Sequence, residues 1–359
     1  MSFPSREQWE PAESERKGWE SNIMSNVVIP EGYSSALDLK ETQIAIKKVK
    51  DFFQKLLAAE LNLKRVTAPL FVVPESGLND NLNGIERPVS FGVKEQGERQ
   101  VEIVQSLAKW KRMALFRYGF SKGEGIYTDM NAIRRDEDTD NVHSIYVDQW
   151  DWERIIEKQD RNEEKLRETV RSVYDALRVT EKYISNQYSY IDCILPENIT
   201  FIPSQELEDR YPELSPRERE QKVAKAYGAV FVEKIGGKLR SGKPHDGRAP
   251  DYDDWNLNGD IIVYYPVLDI GLELSSMGIR VDREAILSQL REAHCEERAD
   301  LPFQRAIINE QLPYTIGGGI GQSRICMFFL RKAHIGEVQS SVWPDSDVGL
   351  LKSRGVELL

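Results

Sequence analysis

Hydrophobic residues recur at three- and four-residue spacing in several stretches of the chain, a pattern typical of amphipathic helices. The first stretch contains Val49, Phe53 and Leu57 with lysines on the opposite face, and it continues to about residue 63. A second long helix is predicted at about 162–186. Shorter helices are predicted at about 107–117, from Ser215 onward with a capping pattern, at about 282–298 and at about 321–332.

Other stretches show the alternating or continuous hydrophobic pattern of β-strands. Two strands on either side of Gln96 and Gly97 predict a hairpin, and a β-rich run is interrupted by Pro69, which favours an edge or an interface. The predicted strands lie at 65–73, 89–93, 99–105, 142–148, 229–235, 260–265 and 267–274. Because the strands come in groups with helices between the groups, the pattern predicts an α+β fold with a largely antiparallel sheet flanked by helices.

The same pattern divides the chain into two unequal parts. Residues 1–36 are polar with scattered prolines, and they predict a peripheral N-terminal arm. Residues 37–359 predict a single folded domain. Within it, the polar segment 236–258 is too long for a plain turn, and loops of that length are usually functional or disordered.

Composition and charge exclude several kinds of partner and site. The net charge of −11 provides no broad positive field, so no nucleic-acid partner is expected. No run approaches the ~18 apolar residues of a membrane span, and the N-terminal segment lacks the apolar core of a secretory signal. Three scattered cysteines, Cys193, Cys295 and Cys326, do not suggest a disulfide framework or a zinc site. We therefore expect a cytoplasmic protein with no membrane partner.

Residues capable of chemistry concentrate in a few segments. These segments lie at 76–81, at 105–112, at 134–138 with 147–153, and at 248–255 with 317–324. Each has a plain structural explanation: a solvated charged turn at 134–138, surface lysines on the helix at 107–117, or a packing device at the start of a helix for the triple glycine. Asp148 and Asp151 beside tryptophans are harder to explain that way, because partly buried carboxylates need a partner or a ligand.

Taken together, the segments predict a site for a nucleotide polyphosphate. Asp260 and Glu273, on neighbouring strands, would hold Mg²⁺ on phosphate oxygens, while arginines would pair with the remaining charge. A glycine-rich turn ending in an arginine would admit close backbone approach. The other acids, Asp80, Asp151 and Asp253, suit a cationic ammonium group instead. The residues therefore predict a small zwitterion bound beside ATP.

Five longer motifs carry a family resemblance. They are Ser-Leu-Ala-Lys-Trp-Lys-Arg at 106–112, Tyr-Val-Asp-Gln-Trp-Asp-Trp-Glu at 146–153, Arg-Ala-Pro-Asp-Tyr-Asp-Asp-Trp at 248–255, Glu-Leu-Ser-Ser-Met-Gly-Ile-Arg at 273–280 and Gly-Gly-Gly-Ile-Gly-Gln-Ser-Arg at 317–324. Over about 39–343 the chain closely resembles the ammonia-dependent asparagine synthetases, the aspartate–ammonia ligases of the asparagine synthetase A type. The resemblance implies a class II aminoacyl-tRNA synthetase-like catalytic core, with three motifs. The first, around the N-terminal helix and Pro69, builds a homodimer interface; the others lie at 133–153 and 317–324.

The resemblance also implies a reaction. ATP and L-aspartate would give β-aspartyl-adenylate and pyrophosphate, and ammonia would then attack the adenylate to give L-asparagine and AMP. Activation is needed because a carboxylate repels nucleophiles, and arginine with Mg²⁺ would allow the two anions to meet.

Site residues follow from the positions that match the family's motifs. Arg134 would bridge the β-carboxylate and the α-phosphate, while Gln149 and Asp80 would contact the reacting end, with Asp80 accepting a proton from ammonia. The remaining residues are implied to bind the rest of aspartate (Ser106, Lys111, Asp151, Asp253 and Ser276), the nucleotide (Glu137, Arg248 and Arg324) and Mg²⁺ (Asp260 and Glu273).

Other interpretations compete with this one. An aspartyl- or asparaginyl-tRNA synthetase would need an anticodon-binding β-barrel of roughly 100 residues before the first motif, and fewer than forty residues precede the first predicted helix here. A glutamine-dependent synthetase would need an N-terminal nucleophilic cysteine, and no cysteine occurs before Cys193, so free ammonia is the expected nitrogen donor. A catalytically inactive amino-acid sensor is the rival from another class. Arg135 competes with Arg134 for the phosphate, and Ser323 stands where many class II enzymes carry an acid.

Overall fold

The computed structural model describes residues 26–80, 82 and 86–359, and one large sheet organises them. Most of the predicted N-terminal arm, residues 1–25, lies outside the described residues. The strands are β1 (Leu63–Arg65), β2 (Phe71–Val72), β3 (Ser90–Val93), β4 (Arg99–Ile103), β5 (Gly125–Ile133), β6 (Tyr146–Ile155), β7 (Thr200–Pro203), β8 (Ala229–Glu233), β9 (Asp253–Tyr265), β10 (Ile270–Arg280) and β11 (Thr315–Gly321). The α-helices are α1 (Leu39–Glu60), α2 (Ala108–Tyr118), α3 (Glu163–Gln187), α4 (Ser204–Arg210), α5 (Pro216–Tyr227), α6 (Arg283–Glu292), α7 (Pro302–Ile308), α8 (Gln322–Phe329) and α9 (Asp345–Ser353).

The large sheet has eight strands in the order β1-β5-β6-β11-β10-β9-β8-β7. Its two outer pairs, β1 with β5 and β7 with β8, are parallel, and every pair between them is antiparallel. A separate antiparallel sheet contains β2, β4 and β3, with β3 and β4 forming the predicted hairpin. The predicted α+β fold with a largely antiparallel sheet is confirmed.

Helices α1, α3 and α8 cover one face of the sheet and enclose the main hydrophobic core. Val49, Phe53 and Leu57 of α1 are all buried there, as the helical spacing predicts. Asp38 caps α1 by accepting the backbone N–H of Glu41, which is the favoured way to satisfy a free donor at a helix start. Residues close together in the chain therefore determine where α1 begins and which of its faces is buried.

The described end of the predicted arm, residues 26–36, packs against the C-terminal part of the chain. Val27 is buried with Leu351 and Val356. The side-chain amide of Asn141 pairs with both the N–H and the C=O of Val28, each at 2.8 Å. These contacts fix the segment that leads into α1.

Five sequence predictions were wrong in detail. Strand β5 was missed, because Gly125, Asp129 and Asn131 make it resemble a loop although it lies inside the sheet. The strand predicted at 142–148 begins at Tyr146, and the helix predicted to reach 298 ends at Glu292. The predicted loop 236–258 gives way to β9 from Asp253.

The fifth correction concerns the triple glycine, which does not form a turn. Gly317, Gly318 and Gly319 lie in β11, in the middle of the sheet between β6 and β10. Glycine has little intrinsic preference for strands, so its presence there indicates a close approach by neighbouring groups.

Among the described residues, none of the helices is long and apolar enough to cross a membrane.

Candidate active site

A cavity of about 310 Å³ opens on the face of the sheet opposite the main core. It is lined by residues from β6, β10 and β11, by the start of α2, and by the loops around Asp80, Arg134 and Arg248. All of the residues predicted from the sequence to form the site line this cavity except Asp260, which hydrogen-bonds to Arg248 of the wall. Segments far apart in the chain are thus brought together in one hollow.

The alternation of β6 places its polar side chains in the cavity. Trp150 and Trp152 are fully buried in the main core, and Trp150 packs against Phe53 with ring centroids 4.9 Å apart. Successive strand residues point to opposite faces, so Gln149 and Asp151 emerge on the other side and line the cavity. The tryptophans anchor the strand, and the polar residues that alternate with them form the floor of the site.

The glycines of β11 leave room for those side chains. A Cβ atom on Gly319 would lie 2.5 Å from Oε1 of Gln149 and 3.4 Å from Oδ1 of Asp151. A Cβ atom on Gly317 would overlap the carboxylate of Glu153 and come within 2.6 Å of Nη2 of Arg280. The glycines are therefore needed in a strand, because neighbouring strands lay polar side chains across their backbone.

Replacing Gly317 by Ala is expected to destabilise the fold by about 3–5 kcal/mol, the usual cost of separating a buried ion pair. The added methyl group would force the Glu153 carboxylate away from Arg280. Urea unfolding of both proteins gives the free-energy difference. Gly349→Ala is the matched control, since that glycine lies on exposed α9 with nothing within 4 Å of its Cβ position. Equal loss in both variants would contradict the packing argument.

Lys111 and Asp151 form a buried ion pair in the floor, with Nζ 2.5 Å from Oδ1. Lys111 also donates to the carbonyl oxygen of Gly318 at 2.9 Å, and burial lowers its pKa. The second oxygen of Asp151, Oδ2, is buried and has no hydrogen-bond partner within the described part of the chain. One acceptor is thus satisfied by the protein, and the other is left for a donor in the cavity.

Arg280 was not assigned a role from the sequence, although it ends one of the quoted motifs. Its guanidinium bonds to Glu153 at 2.7 to 3.1 Å and to Asp253, and all three side chains are almost completely buried. Asp253, predicted to bind an ammonium group, therefore already has a cationic partner. Burial raises the pKa of Asp253, and Arg280 opposes that rise.

Asp80 lines the cavity from the loop that follows residues 74–76 and is 1% exposed. Its Oδ1 accepts the backbone N–H of Leu82 at 3.0 Å, while its buried Oδ2 has no partner among the residues that are described. Burial raises the pKa of Asp80 to about 6. This carboxylate is consequently a stronger base than an exposed aspartate, and it is still mostly ionised at neutral pH.

Arg134 lies in the cavity wall and Arg135 does not. The guanidinium of Arg134 is 3.9 Å from Glu137, which also lines the cavity, and its buried Nε has no partner in the described ranges. Arg135 is about half exposed and lies 3.9 Å from Asp136 outside the cavity. The geometry favours Arg134 for an anionic ligand.

A group of carboxylates and arginines forms another part of the wall. Arg248 donates to Asp260 and, at 3.2 Å, to the hydroxyl of Ser276. Arg324 donates to the side chain of Glu273 at 3.3 Å and to its carbonyl oxygen at 3.1 Å. Burial opposes ionisation of Glu273, but Arg324 holds its pKa below the usual range, whereas burial and repulsion from Glu273 raise the pKa of Asp260.

A second cavity, of about 420 Å³, adjoins the first and shares part of its lining. The shared residues are Val142, His143, Asp246, Glu273 and Arg324. Sequence reasoning missed His143 and Asp246 as lining residues, because neither stands in the motifs that carry the resemblance. The wall around Glu273 and Arg324 therefore faces two connected spaces.

The sequence matches known proteins over almost the whole chain. The family model for aspartate-ammonia ligase matches residues 40–355. The aspartate–ammonia ligase of Clostridium perfringens (strain ATCC 13124) is 62% identical over 336 residues, covering 94% of this chain and 100% of that protein. The corresponding ligase of Fusobacterium nucleatum is 64% identical over 327 residues, covering 91% of this chain and 99% of that protein.

Solved structures show a similar fold at low sequence identity. Asparaginyl-tRNA synthetase from Pyrococcus horikoshii, complexed with asparaginyl-adenylate, superposes with a TM-score of 0.58 at 15% identity, covering 85% of this chain and 70% of that chain. Asparaginyl-tRNA synthetase from Entamoeba histolytica, also with asparaginyl-adenylate, gives a TM-score of 0.57 at 11% identity, covering 84% and 66%. The predicted class II synthetase-like core is confirmed.

Proposed function

The chain belongs to the aspartate–ammonia ligase family, and from this premise we propose that it makes L-asparagine from L-aspartate, ammonia and ATP, releasing AMP and pyrophosphate. The observation that carries the proposal is a single cavity lined by both cationic and anionic groups. Arg134 and Arg324 line it together with Asp80 and Asp151, each of which has one buried oxygen without a hydrogen-bond partner among the described residues. Such a site accommodates two anionic reactants and one cationic amino group.

The first step joins two anions. An oxygen of the β-carboxylate attacks the α-phosphorus of ATP, the new P–O bond gives β-aspartyl-adenylate, and the bond to pyrophosphate breaks. Arg134 has a partly unpaired guanidinium in the wall, so it is placed to pair with both the carboxylate and the α-phosphate. Gln149 would orient the carboxylate from the floor.

The second step transfers the acyl group to nitrogen. The ammonia nitrogen attacks the β-carbonyl carbon, the C–O bond to the phosphate breaks, and AMP leaves. The nitrogen must lose a proton, and we assign Oδ2 of Asp80, which has no hydrogen-bond partner among the described residues, as the acceptor. Its pKa of about 6 suits a base that works near neutral pH.

The other end of aspartate would be bound beside the floor. Oδ2 of Asp151, which lacks a partner in the part of the chain that the structure describes, would accept from the α-amino group, with Ser276 nearby. Ser106 and Lys111 would face the α-carboxylate. Asp253, which is paired with Arg280, would contribute by holding that arginine in the wall.

The nucleotide would lie along Glu137, Arg248 and Arg324. In the described residues, no three His, Cys, Asp or Glu side chains converge as ligands for one ion. Asp260 and Glu273 nevertheless fit Mg²⁺, because Oδ1 of Asp260 is buried without a described partner and Mg²⁺ commonly uses one or two carboxylates with substrate phosphates. When bound, Mg²⁺ would neutralise charge on the phosphates.

Replacing Arg324 by Ala is expected to raise the KM for ATP about tenfold or more and to leave the KM for aspartate nearly unchanged. Loss of one charge-assisted contact costs about 1.5–3 kcal/mol, and Arg324 lies on the side of the cavity assigned to the nucleotide. Steady-state kinetics with each substrate varied in turn gives both constants. Parallel changes in the two constants would place Arg324 elsewhere.

The proposed function is tested by following products from aspartate and ATP with ammonium or with glutamine as the nitrogen donor. Asparagine and AMP should form in equal amounts with ammonium. An inactive sensor would bind aspartate and give neither product nor aspartate-dependent exchange of pyrophosphate into ATP. Equal or faster formation with glutamine would contradict ammonia as the preferred donor.

We also propose that the protein is a cytoplasmic homodimer. Leu70, Phe71 and Phe91 form an exposed apolar patch, beside Pro69 in the segment matched to the first class II motif. The rings of Phe71 and Phe91 are 5.5 Å apart. Light scattering should give twice the mass of one chain, and Phe71→Glu should lower it, whereas Phe116→Glu on α2 should not. A monomeric wild-type protein would contradict the dimer.

A further inference from the structure

Three buried side chains hold the backbone around Asp80. Oδ1 of Asn79 accepts the backbone N–H groups of Asp80 and Gln105, at 3.0 and 2.9 Å. The side-chain amide of Gln105 donates to the carbonyl oxygen of Asp80 at 3.0 Å. Nζ of Lys109 donates to the carbonyl oxygen of Asn79 at 3.1 Å. The loop is thus tied to α2 and to the segment that joins β4 to α2, while Asp80 lines the cavity.

Lys109 is itself part of a buried ion pair. Its Nζ lies 2.8 Å from Oδ2 of Asp251, and the two side chains are 5% and 0% exposed. Gln304 on α7 donates to the same oxygen of Asp251 at 2.6 Å. Neither Lys109 nor Asp251 is among the residues that line the cavity. The pair therefore lies behind Asp80, on the side away from the reactants.

Stability alone does not explain why this pair is charged. Removing two ions from water costs about as much as their attraction returns, so buried ion pairs are a weak source of stability. The hydrogen bond from Lys109 to Asn79 needs only a neutral donor. Both charges act on Asp80, because Lys109 lowers its pKa and Asp251 raises it.

Charged groups face Asp80 from three elements. Lys109 on α2 and Arg134 after β5 favour its ionised form, while Asp251, in the segment before β9, disfavours it. Tyr252 adjoins Asp251, and its own pKa is raised mainly by burial, so it is neutral. Burial raises the pKa of Asp80 and these charges modify it, so that it stands at about 6, where a carboxylate can accept a proton and release it again.

We propose that Lys109 and Asp251 are positioning residues for Asp80, which hold its loop and set how readily its carboxylate takes a proton from the attacking nitrogen. The inference rests on the proposed function and adds two residues that touch no reactant. Their opposite charges should act on the base in opposite directions. A merely structural pair would not have that property.

The test uses single turnovers of the full-length protein. Enzyme is first incubated with ATP and aspartate, then mixed with saturating ammonium, and asparagine formation is followed across the mildly acidic and neutral range. Asp251→Asn keeps the shape of the side chain and removes a negative charge. The acidic limb of the pH–rate profile should therefore move to lower pH by about one unit. Lys109→Gln removes the positive charge, so the acidic limb of the profile of that variant should move to higher pH by a similar amount.

Two controls accompany the variants. Pyrophosphate–ATP exchange with aspartate, which reports adenylate formation, should be unchanged in Asp251→Asn. Glu181→Gln removes another buried carboxylate, paired with Arg331 away from the cavity, and should not move the limb. Thermal unfolding identifies any variant that is not folded, and Asp251→Asn alone decides the question if Lys109→Gln does not fold.

Opposite displacements would support the inference. Folded variants whose limbs stay in place, or both move the same way, would overturn it while leaving the proposed function intact. Wild-type protein that forms no asparagine would overturn the proposed function, and the inference with it. The two failures are therefore distinguishable.

Discussion

Replacing Asp80 by Asn is expected to reduce asparagine formation about 100- to 10 000-fold while leaving aspartate-dependent pyrophosphate–ATP exchange near the wild-type rate. A positioned general base typically contributes that much to a rate. Asn keeps the size of the side chain and can still accept from Leu82, but it cannot take up a proton. The first step needs no proton transfer, so only the second step should suffer.

Both rates for the Asp80 variant can be measured on one preparation. Asparagine is quantified after addition of ammonium, and exchange is followed with labelled pyrophosphate. Asp269→Asn is the matched control, because Asp269 lies in the exposed turn between β9 and β10, bonded to Lys225 and Tyr264. Asparagine formation at the wild-type rate in Asp80→Asn would remove Asp80 from the mechanism, and loss of both activities would assign it to adenylation.

Replacing Arg134 by Gln is expected to lower the rate of pyrophosphate–ATP exchange about 100- to 1000-fold. Groups aimed at developing charge in a water-excluded site typically contribute that much. Arg134 lines the cavity with an unpaired Nε among the described residues, so its charge is available to the carboxylate and the α-phosphate. Asparagine formation should fall by the same factor, because it depends on the adenylate.

The neighbouring Arg135 provides the control for this second variant. It has the same charge and the next position in the chain, but it is half exposed beside Asp136 and outside the cavity wall. Arg135→Gln should change the exchange rate little. A larger loss in Arg135→Gln than in Arg134→Gln would show that the two arginines exchange roles when ATP binds.

Local patterns were sufficient to predict most of the fold. The helical spacing in α1 and α3, the capping box at Ser215 and the hairpin around Gly97 all depend on residues close in the chain. The alternation in β6 also encodes which side chains face the cavity. These features are visible in a sequence because near neighbours determine them.

Features that depend on distant neighbours could not be predicted in the same way. The glycines of β11 resemble a turn until the side chains of β6 and β10 are seen lying across them. Polar β5 resembles a loop until β1 and β6 pair with it on both sides. Local propensity was overridden in both places by contacts within the sheet.

Ion pairing in the site also depends on residues that are distant in the sequence, so it could not be predicted either. Motif matching located Asp151 and Asp253 in the cavity, but it could not show that Lys111 and Arg280 already neutralise one oxygen of each. Those partners determine which acceptors remain for a ligand. Here the free acceptor is Oδ2 of Asp151, which is buried without a described partner.

The central claim, that this cavity activates the β-carboxylate of aspartate by joining it to the α-phosphorus of ATP, is tested most directly with aspartate labelled by ¹⁸O in that carboxylate. After turnover with ATP and ammonium, mass spectrometry of the nucleotide product should find one ¹⁸O in each AMP, because the carboxylate oxygen stays with phosphorus when nitrogen displaces it. Unlabelled AMP, or ADP with ¹⁸O in inorganic phosphate, would contradict the account.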